Sequence, residues 1–440
     1  MDLVSLGALA LVSAEWCAIG RLSGLAWPVD TVRLVRWSLY LLGGAFVVGF
    51  TQLLLSLVGL GFDNAALTLA IAALLALAIR AVARPLPRSR RKVRLGERER
   101  IGWAILGLVL VAATIRSFVV PEAGWDAFSH WGLKAEAFAL NGRIVDAGTV
   151  HEYYPPLVPL LEAWLAIHRG AISIDALKTI WAVLGSAFAI CLAWHLRLGL
   201  SRPWLAPVFT AATVVATPQL LDGFWTGQAD LALTAYLTLA TLAIWQWRGA
   251  ADRRWLVQAA LFGAACALTK YEGVPRVAVL LLAVVLVAGL ERCWPHALPA
   301  LVVGVAVAVA YLPWLIFRAI HGISASSEHL SQLQPQGIGR LFGALVGVFG
   351  GVRTGGALLV VALTVALAGP RLIGPRFRLL SLVVLGEVLA TFLAFLVSET
   401  APDVQALTSA TRLFEHFVPV ALFVVALWLD EVLPIIRPGR

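Results

Sequence analysis

Apolar runs of about 17 to 25 residues recur along the whole chain between short polar stretches, and this pattern limits the fold more than any other feature. Runs of that length cross a bilayer core as helices, and a helix satisfies its own backbone hydrogen bonds in lipid. The period-2 alternation of a membrane barrel is missing. With 60% hydrophobic and 13% charged residues over 440 positions, and a mean hydropathy of +0.87, an ordinary soluble protein is excluded. The expected fold is all-α, a polytopic transmembrane helical bundle.

The formal charge of +9 raises the question of nucleic acid. The basic residues, however, sit mainly in short loops between apolar runs, where they set topology, so no nucleic-acid partner is expected. Cys17, Cys191 and Cys266 lie within apolar runs and Cys293 at the edge of one, without CxxC spacing. They read as small core residues, and neither a disulfide framework nor a zinc site is indicated. The first run contains Glu15 and lacks a basic leader, which argues against a cleaved signal peptide.

Candidate spans fall at roughly 4–20, 36–60, 64–84, 102–119, 174–195, 203–221, 229–247, 255–269, 274–290, 297–318, 354–369, 379–397 and 413–430, about thirteen in all. The strongest orientation signal is the stretch 84–100 (RPLPRSRRKVRLGERER), with eight Lys/Arg against two Glu. It is expected on the cytoplasmic side, as are GPRLIGPRFR, Arg437 and Arg440. The span at 102–119 then travels outward and delivers residues 121–157 to the extracytoplasmic side. The segment 321–337 is external by the same alternation. In 146–170, Pro155 and Pro156 fit a helix start and about fourteen residues follow them, short for a crossing, so the segment reads as a juxtamembrane or re-entrant helix. A short Gly-rich run at 341–352 reads as another interfacial helix. Three parts follow: 1–100, N-terminal spans with the basic loop; 101–173, the first core span with an external loop; and 174–440, the remaining spans. No internal repeat is evident.

Residues 121–157 (PEAGWDAFSHWGLKAEAFALNGRIVDAGTVHEYYPPL) concentrate polar, titratable and aromatic residues within this apolar chain. Asp126, His130 and Lys134 recur every four residues, so a helix places them on one face, with Phe128, Trp131, Ala135 and Phe138 on another. That pattern predicts an amphipathic interfacial helix. His151, Glu152 and Tyr154 follow it. The alternation of spans brings Asp222, Asp230, Lys270, Glu272, Arg412 and His416 to helix ends on the same side, and their convergence would make a polar cavity at the outer leaflet.

Each residue has an ordinary alternative. Asp126 is either a general base for an acceptor hydroxyl or a helix cap. His130 and Lys134 are either ligands or solvated residues on a polar face. Asp230, opening a span, is again a candidate cap. Lys270 either binds phosphate or snorkels, and Glu272 either pairs with Lys270 or holds a metal, pairing being favoured because no second carboxylate lies nearby in sequence.

The order of these parts resembles the GT-C superfamily of integral-membrane glycosyltransferases, above all bacterial relatives of protein O-mannosyltransferase and the lipid A aminoarabinose transferase. The resemblance covers about residues 100–430. It lies in WDAFSHW with Asp126, YYPPLVPLLEAW at 153–164, ADLALTAY with Asp230, LTKYEG at 268–273, and Thr411, Arg412 and Leu413 before the last span. The chain departs from the family in its three leading spans, in having no large soluble C-terminal domain, and in an isolated Asp where the first loop would carry an acidic pair. These departures count against a protein acceptor and against metal dependence.

The resemblance implies a GT-C-like bundle and an enzyme of the inner (plasma) membrane with its site facing the periplasm or cell exterior. Such an enzyme transfers a sugar from a polyprenyl-phosphate donor to a cell-envelope glycan, lipid or protein acceptor. Asp126 would be the base, with Lys270 and Arg412 stabilising the departing phosphate and inversion at the anomeric carbon. His130, Lys134, His151, Glu152, Tyr154, Asp230 and Glu272 would line the substrate site. No cofactor is certain, and a divalent metal is not indicated. The rival readings are a transporter or flippase of a lipid-linked saccharide, and a polysaccharide polymerase or ligase. A transporter is expected to carry charges near the middle of its spans.

Overall fold

The computed structural model describes residues 2–433 except 26, 28–30, 84–93, 123, 150, 324–333, 335–336, 351 and 399. Most of the basic orientation signal at 84–100, the greater part of 321–337, and Arg437 and Arg440 therefore lie outside the described residues.

Among the described residues every regular element is helical. In chain order the helices are α1 (Leu3–Leu22), α2 (Arg33–Leu57), α3 (Ala65–Ala83), α4 (Glu97–Val119), α5 (Gly132–Asn141), α6 (Leu157–Arg169), α7 (Ile174–Leu177), α8 (Thr179–Gly199), α9 (Leu205–Ala216) and α10 (Pro218–Asp222). They continue with α11 (Asp230–Ala250), α12 (Arg253–Thr269), α13 (Gly273–Leu290), α14 (Leu298–Ile320), α15 (Ile338–Phe349), α16 (Val352–Ala368), α17 (Arg378–Leu396), α18 (Pro402–Glu415) and α19 (Val418–Val432).

Nine described helices are long and apolar enough to cross a membrane, or up to ten if the bent pair α18 and α19, which meet at 52°, is one span. The multi-pass all-α architecture follows from this, with fewer qualifying spans than the thirteen expected. Four expected spans account for the difference. The run at 203–221 breaks at Thr217 before Pro218 into α9 and α10, as a proline that cannot continue the hydrogen-bond ladder dictates. The run at 413–430 is divided between α18 and α19. The run at 255–269 forms α12, only 17 residues long, and that at 229–247 forms α11, long enough but carrying Asp230, three threonines and Gln246. These last two helices are enclosed, as are α2 and α8. Sixteen of the 21 residues of α11 and thirteen of the 17 of α12 are buried, so other helices rather than lipid cover them and their apolar requirement is weaker.

The N-terminal helices are packed into the body. α1 and α2 approach backbone to backbone, since a Cβ at Gly44 would stand 1.7 Å from the Trp16 carbonyl oxygen and one at Gly20 1.9 Å from that of Tyr40. Small residues at such crossings allow the close packing that holds helices together in lipid. The short α6 is buried along most of its length and is tied to α1 by Glu15, which accepts from Trp164 Nε1 at 2.9 Å and lies 3.0 Å from His168 Nε2. α15 presents Leu341 and Leu345 to α18 and leaves its other face exposed, the form of an interfacial helix.

Candidate functional site

Asp126 lies one residue before a π-helical turn, Ala127–Trp131, that runs directly into α5. The wider turn alters the expected presentation. His130 and Lys134 are 5% and 2% exposed, whereas Trp125 and Leu140 are each 71% exposed, with Phe128 and Leu133 also outward. The polar residues thus turn into the protein and an apolar row faces out, so the solvated polar face expected for His130 and Lys134 is not what forms. An outward row with Trp and Phe suits the headgroup region of a bilayer. Glu122 anchors the start of this segment: its carboxylate accepts from Gly124 N at 2.7 Å and from Gly227 N at 2.9 Å.

Lys134 Nζ donates to the His151 carbonyl at 2.7 Å, which fixes His151 in a left-handed conformation (φ 64°) rare for a residue with a side chain. Burial pushes the Lys134 ammonium down to about 8. The His151 ring stacks on Tyr154 at 4.9 Å and stands edge-on to His130 at 5.6 Å. Tyr154 in turn lies nearly parallel to Tyr271, 6.1 Å away and 9° out of plane, while Tyr153 meets Tyr271 edge-on. The result is an aromatic wall from His130 to Tyr271. Burial lowers the His130 imidazole to about 4 despite the opposing Asp126 carboxylate, so it is neutral at physiological pH. Glu152 turns away, accepting from Thr149 N at 2.9 Å and from its hydroxyl at 2.6 Å, and acts as a local loop clamp.

Beside this wall is a charged cluster built from helix ends. Asp230 opens α11, Lys270 follows α12, Glu272 precedes α13, and Arg412 and Glu415 close α18 before His416. Lys270 Nζ lies 3.0 Å from Asp230 Oδ1 and 3.4 Å from Glu272 Oε1, and His416 Nε2 lies 2.9 Å from the same Asp230 oxygen. Arg412 pairs with Asp126. Burial disfavours the Lys270 charge, but the carboxylates of Asp230 and Glu272 overcome it and hold the ammonium above its ordinary value. Reciprocally, Lys270 holds Glu272 below the usual carboxylate range against its desolvation. Three buried polar atoms at this cluster, Glu272 Oε2, Glu415 Oε1 and His416 Nδ1, have no hydrogen-bond partner. Such atoms normally meet water or a ligand.

The arrangement therefore joins Asp126 with Arg412, and Asp230 with Lys270, Glu272 and His416, alongside His130, His151 and Tyr154. Glu152 and Lys134 are engaged in local structure. Among the described residues no group of three or more His, Cys, Asp or Glu forms a metal-binding set. Sequence reasoning missed Tyr271 of the aromatic wall, Glu415 and three further buried groups. Glu162 in α6 accepts from Trp181 Nε1 at 2.7 Å, and Arg276 of α13 pairs with Glu387 of α17 at 2.5 Å while donating to the Leu413 carbonyl at 2.9 Å. Glu162 and Glu387 are single carboxylates inside apolar runs, a signal that marks them once it is looked for. No protein-family model, no curated protein and no solved structure matches this chain.

Proposed function

We propose that this chain is a membrane glycosyltransferase of the GT-C type, taking a sugar from a polyprenyl-phosphate donor and passing it to a hydroxyl of a cell-envelope acceptor on the extracytoplasmic face of the plasma membrane. The observation that carries this reading is the pairing of Asp126 with Arg412 beside the Lys270 and Asp230 pair, which sets one candidate base next to two cations at the helix ends. Asp126 takes the proton of the acceptor hydroxyl as its oxygen bonds to the anomeric carbon. The bond from that carbon to the phosphate oxygen breaks, and the polyprenyl phosphate leaves with the electron pair and an added negative charge. Phosphate is a good leaving group, so cations that stabilise it take the place of a strong general acid. Attack opposite the leaving group inverts the anomeric centre.

In the unliganded pair Arg412 neutralises Asp126. A donor phosphate competes for the guanidinium, which binds phosphate in the same forked geometry as carboxylate. Asp126 is then released as a base only when donor is bound. The half-buried rings of His151, Tyr154 and Tyr271 border this cluster as apolar surface against which the carbon-bound hydrogens of a sugar ring can pack. Purified protein incubated with a panel of polyprenyl-phosphate sugars and envelope acceptors tests the assignment. Transfer is expected with wild type and lost in Asp126→Asn; undiminished transfer by that variant removes Asp126 as the base.

A second reading, a transporter of lipid-linked saccharide, is favoured by one observation, the buried carboxylate of Glu387 at the middle of α17, paired with Arg276 in the first turn of α13. Absence of turnover together with movement of a lipid-linked sugar across proteoliposomes selects it.

A further inference from the structure

The three leading helices enclose a slot of about 720 Å3 whose lining includes Ser13, Ala14, Cys17 and Arg21 of α1, Trp37 of α2 and Arg80 of α3. Ser13, Cys17 and Arg21 succeed one another every four residues, so the α1 wall is a stripe about 12 Å long that ends in a charge. Small side chains along it leave room for a hydrocarbon chain. Arg80 reaches the same end across the turn between α1 and α2, where Gly24 holds φ +73° and a Cβ would come within 2.9 Å of the Arg80 stem. Neither the Arg21 nor the Arg80 guanidinium has a hydrogen-bond or ion-pair partner among the described residues. Trp37 is 40% exposed on the facing wall, the position of an aromatic at a membrane interface.

We propose that this slot binds one anionic phospholipid, its phosphate held between Arg21 and Arg80 and an acyl chain lying along the α1 stripe. Two guanidiniums without a partner among the described residues, at the end of an apolar groove, complement an anion with a hydrocarbon tail, and they favour the bidentate phosphate contact. A second copy of the chain is a poorer occupant, because two-fold pairing over this face sets the same arginines near one another. The chain enters the basic stretch 84–100 directly after α3, so this end of the bundle is the one that the positive-inside rule places against the anionic cytoplasmic leaflet. The leading helices then anchor the body to a lipid of defined charge, whatever reaction the opposite end performs.

The test is native mass spectrometry of the full chain released from micelles containing phosphatidylglycerol or phosphatidylcholine, read together with alkylation of Cys17 within the slot. Wild type is expected to retain phosphatidylglycerol over phosphatidylcholine by roughly thirty-fold, the preference two basic residues give near a membrane surface. Phosphatidylglycerol should also slow Cys17 alkylation. In R21Q/R80Q both effects should vanish, and in R21Q or R80Q alone the preference should fall to about five-fold, which preserves the test if the double variant fails to fold. Equal retention of the two lipids by wild type overturns the proposal. So does a preference that persists in the double variant, which would place the anion elsewhere, or a dimer covering Cys17 without any retained lipid.

Discussion

Arg412, at the C-terminal end of α18, donates to the carboxylate of Asp126, 286 positions earlier in the chain. The contact closes the front of the cluster in which Asp230 receives both Lys270 and His416. One side of the candidate site is thus a carboxylate held by a cation, and the other is a cation held by two carboxylates.

If Asp126 is the base, Asp126→Asn keeps the shape of the side chain and removes its basicity. Turnover with a saturating donor should fall by about 10²- to 10⁴-fold, the usual worth of a positioned base. The bound fraction of donor should hold or rise, because Arg412 is no longer paired with the Asp126 carboxylate. A steady-state assay beside a donor-binding measurement separates the two effects, and a loss of binding with unchanged turnover contradicts the role.

Lys270 is expected to act on the donor phosphate. Lys270→Met should raise KM for the donor by roughly ten- to hundred-fold, the loss of one charge-assisted hydrogen bond. The variant also leaves the Asp230 carboxylate, 4% exposed, with His416 as its remaining hydrogen-bond partner among the described residues. Asp230→Asn in the same chain should therefore recover thermal stability without restoring KM. Recovery of KM by the second change would show that Lys270 acts only as a structural counter-ion.

The convergence of Asp126, Asp230, Lys270 and Arg412 was legible because a membrane helix hides few places for a charge: each sits where an apolar run starts or stops, and alternation of spans fixes which ends are neighbours. The inward turn of His130 and Lys134 was not legible. Four-residue spacing assumes a continuous α-helix, whereas the π-turn at Ala127–Trp131 changes the angle between successive residues. The aromatic partner Tyr271 was hidden for another reason, since ring stacking depends on how loops meet and leaves no period in the sequence. α11 and α12 read as ordinary spans because an apolar run registers hydropathy and not what covers the helix, and both are enclosed by other helices.

His130 makes stability depend on pH with a definite sign. Its folded-state value of about 4 lies below the ordinary 6.5 because burial disfavours the charged ring. Between those values the unfolded chain binds more protons than the folded one, so unfolding gains as pH falls. The contribution is fully present above about 6.5, declines through the window and levels off below about 4. Thermal melts of the detergent-solubilised protein across pH 4 to 7 should show this slope, and His130→Phe should reduce it, the remainder coming from His416, whose ring is also lowered to about 4 by burial. An unchanged slope in the variant would assign the acid sensitivity to other groups.

The Arg276 and Glu387 pair distinguishes the two functional readings. Its side chains are 6% and 0% exposed, so removal of one partner strands a charge among apolar helices, and Arg276→Met or Glu387→Gln should cost about 3 to 5 kcal/mol of stability. Replacing both, as Arg276→Met with Glu387→Leu, removes the two charges together and should restore most of that loss, because two well-packed apolar side chains of similar volume often match a buried ion pair. Under the transferase reading the double variant still transfers sugar in detergent, since Asp126, Lys270 and Arg412 are intact and the pair serves to join α13 to α17 and, through the bond of Arg276 to the Leu413 carbonyl, to α18. If the pair is instead a relay for transport, the same stable variant should fail to move lipid-linked saccharide in proteoliposomes while the single-residue changes at Asp126 leave that movement untouched. Stability and function are read on one protein, so misfolding cannot pass for loss of activity.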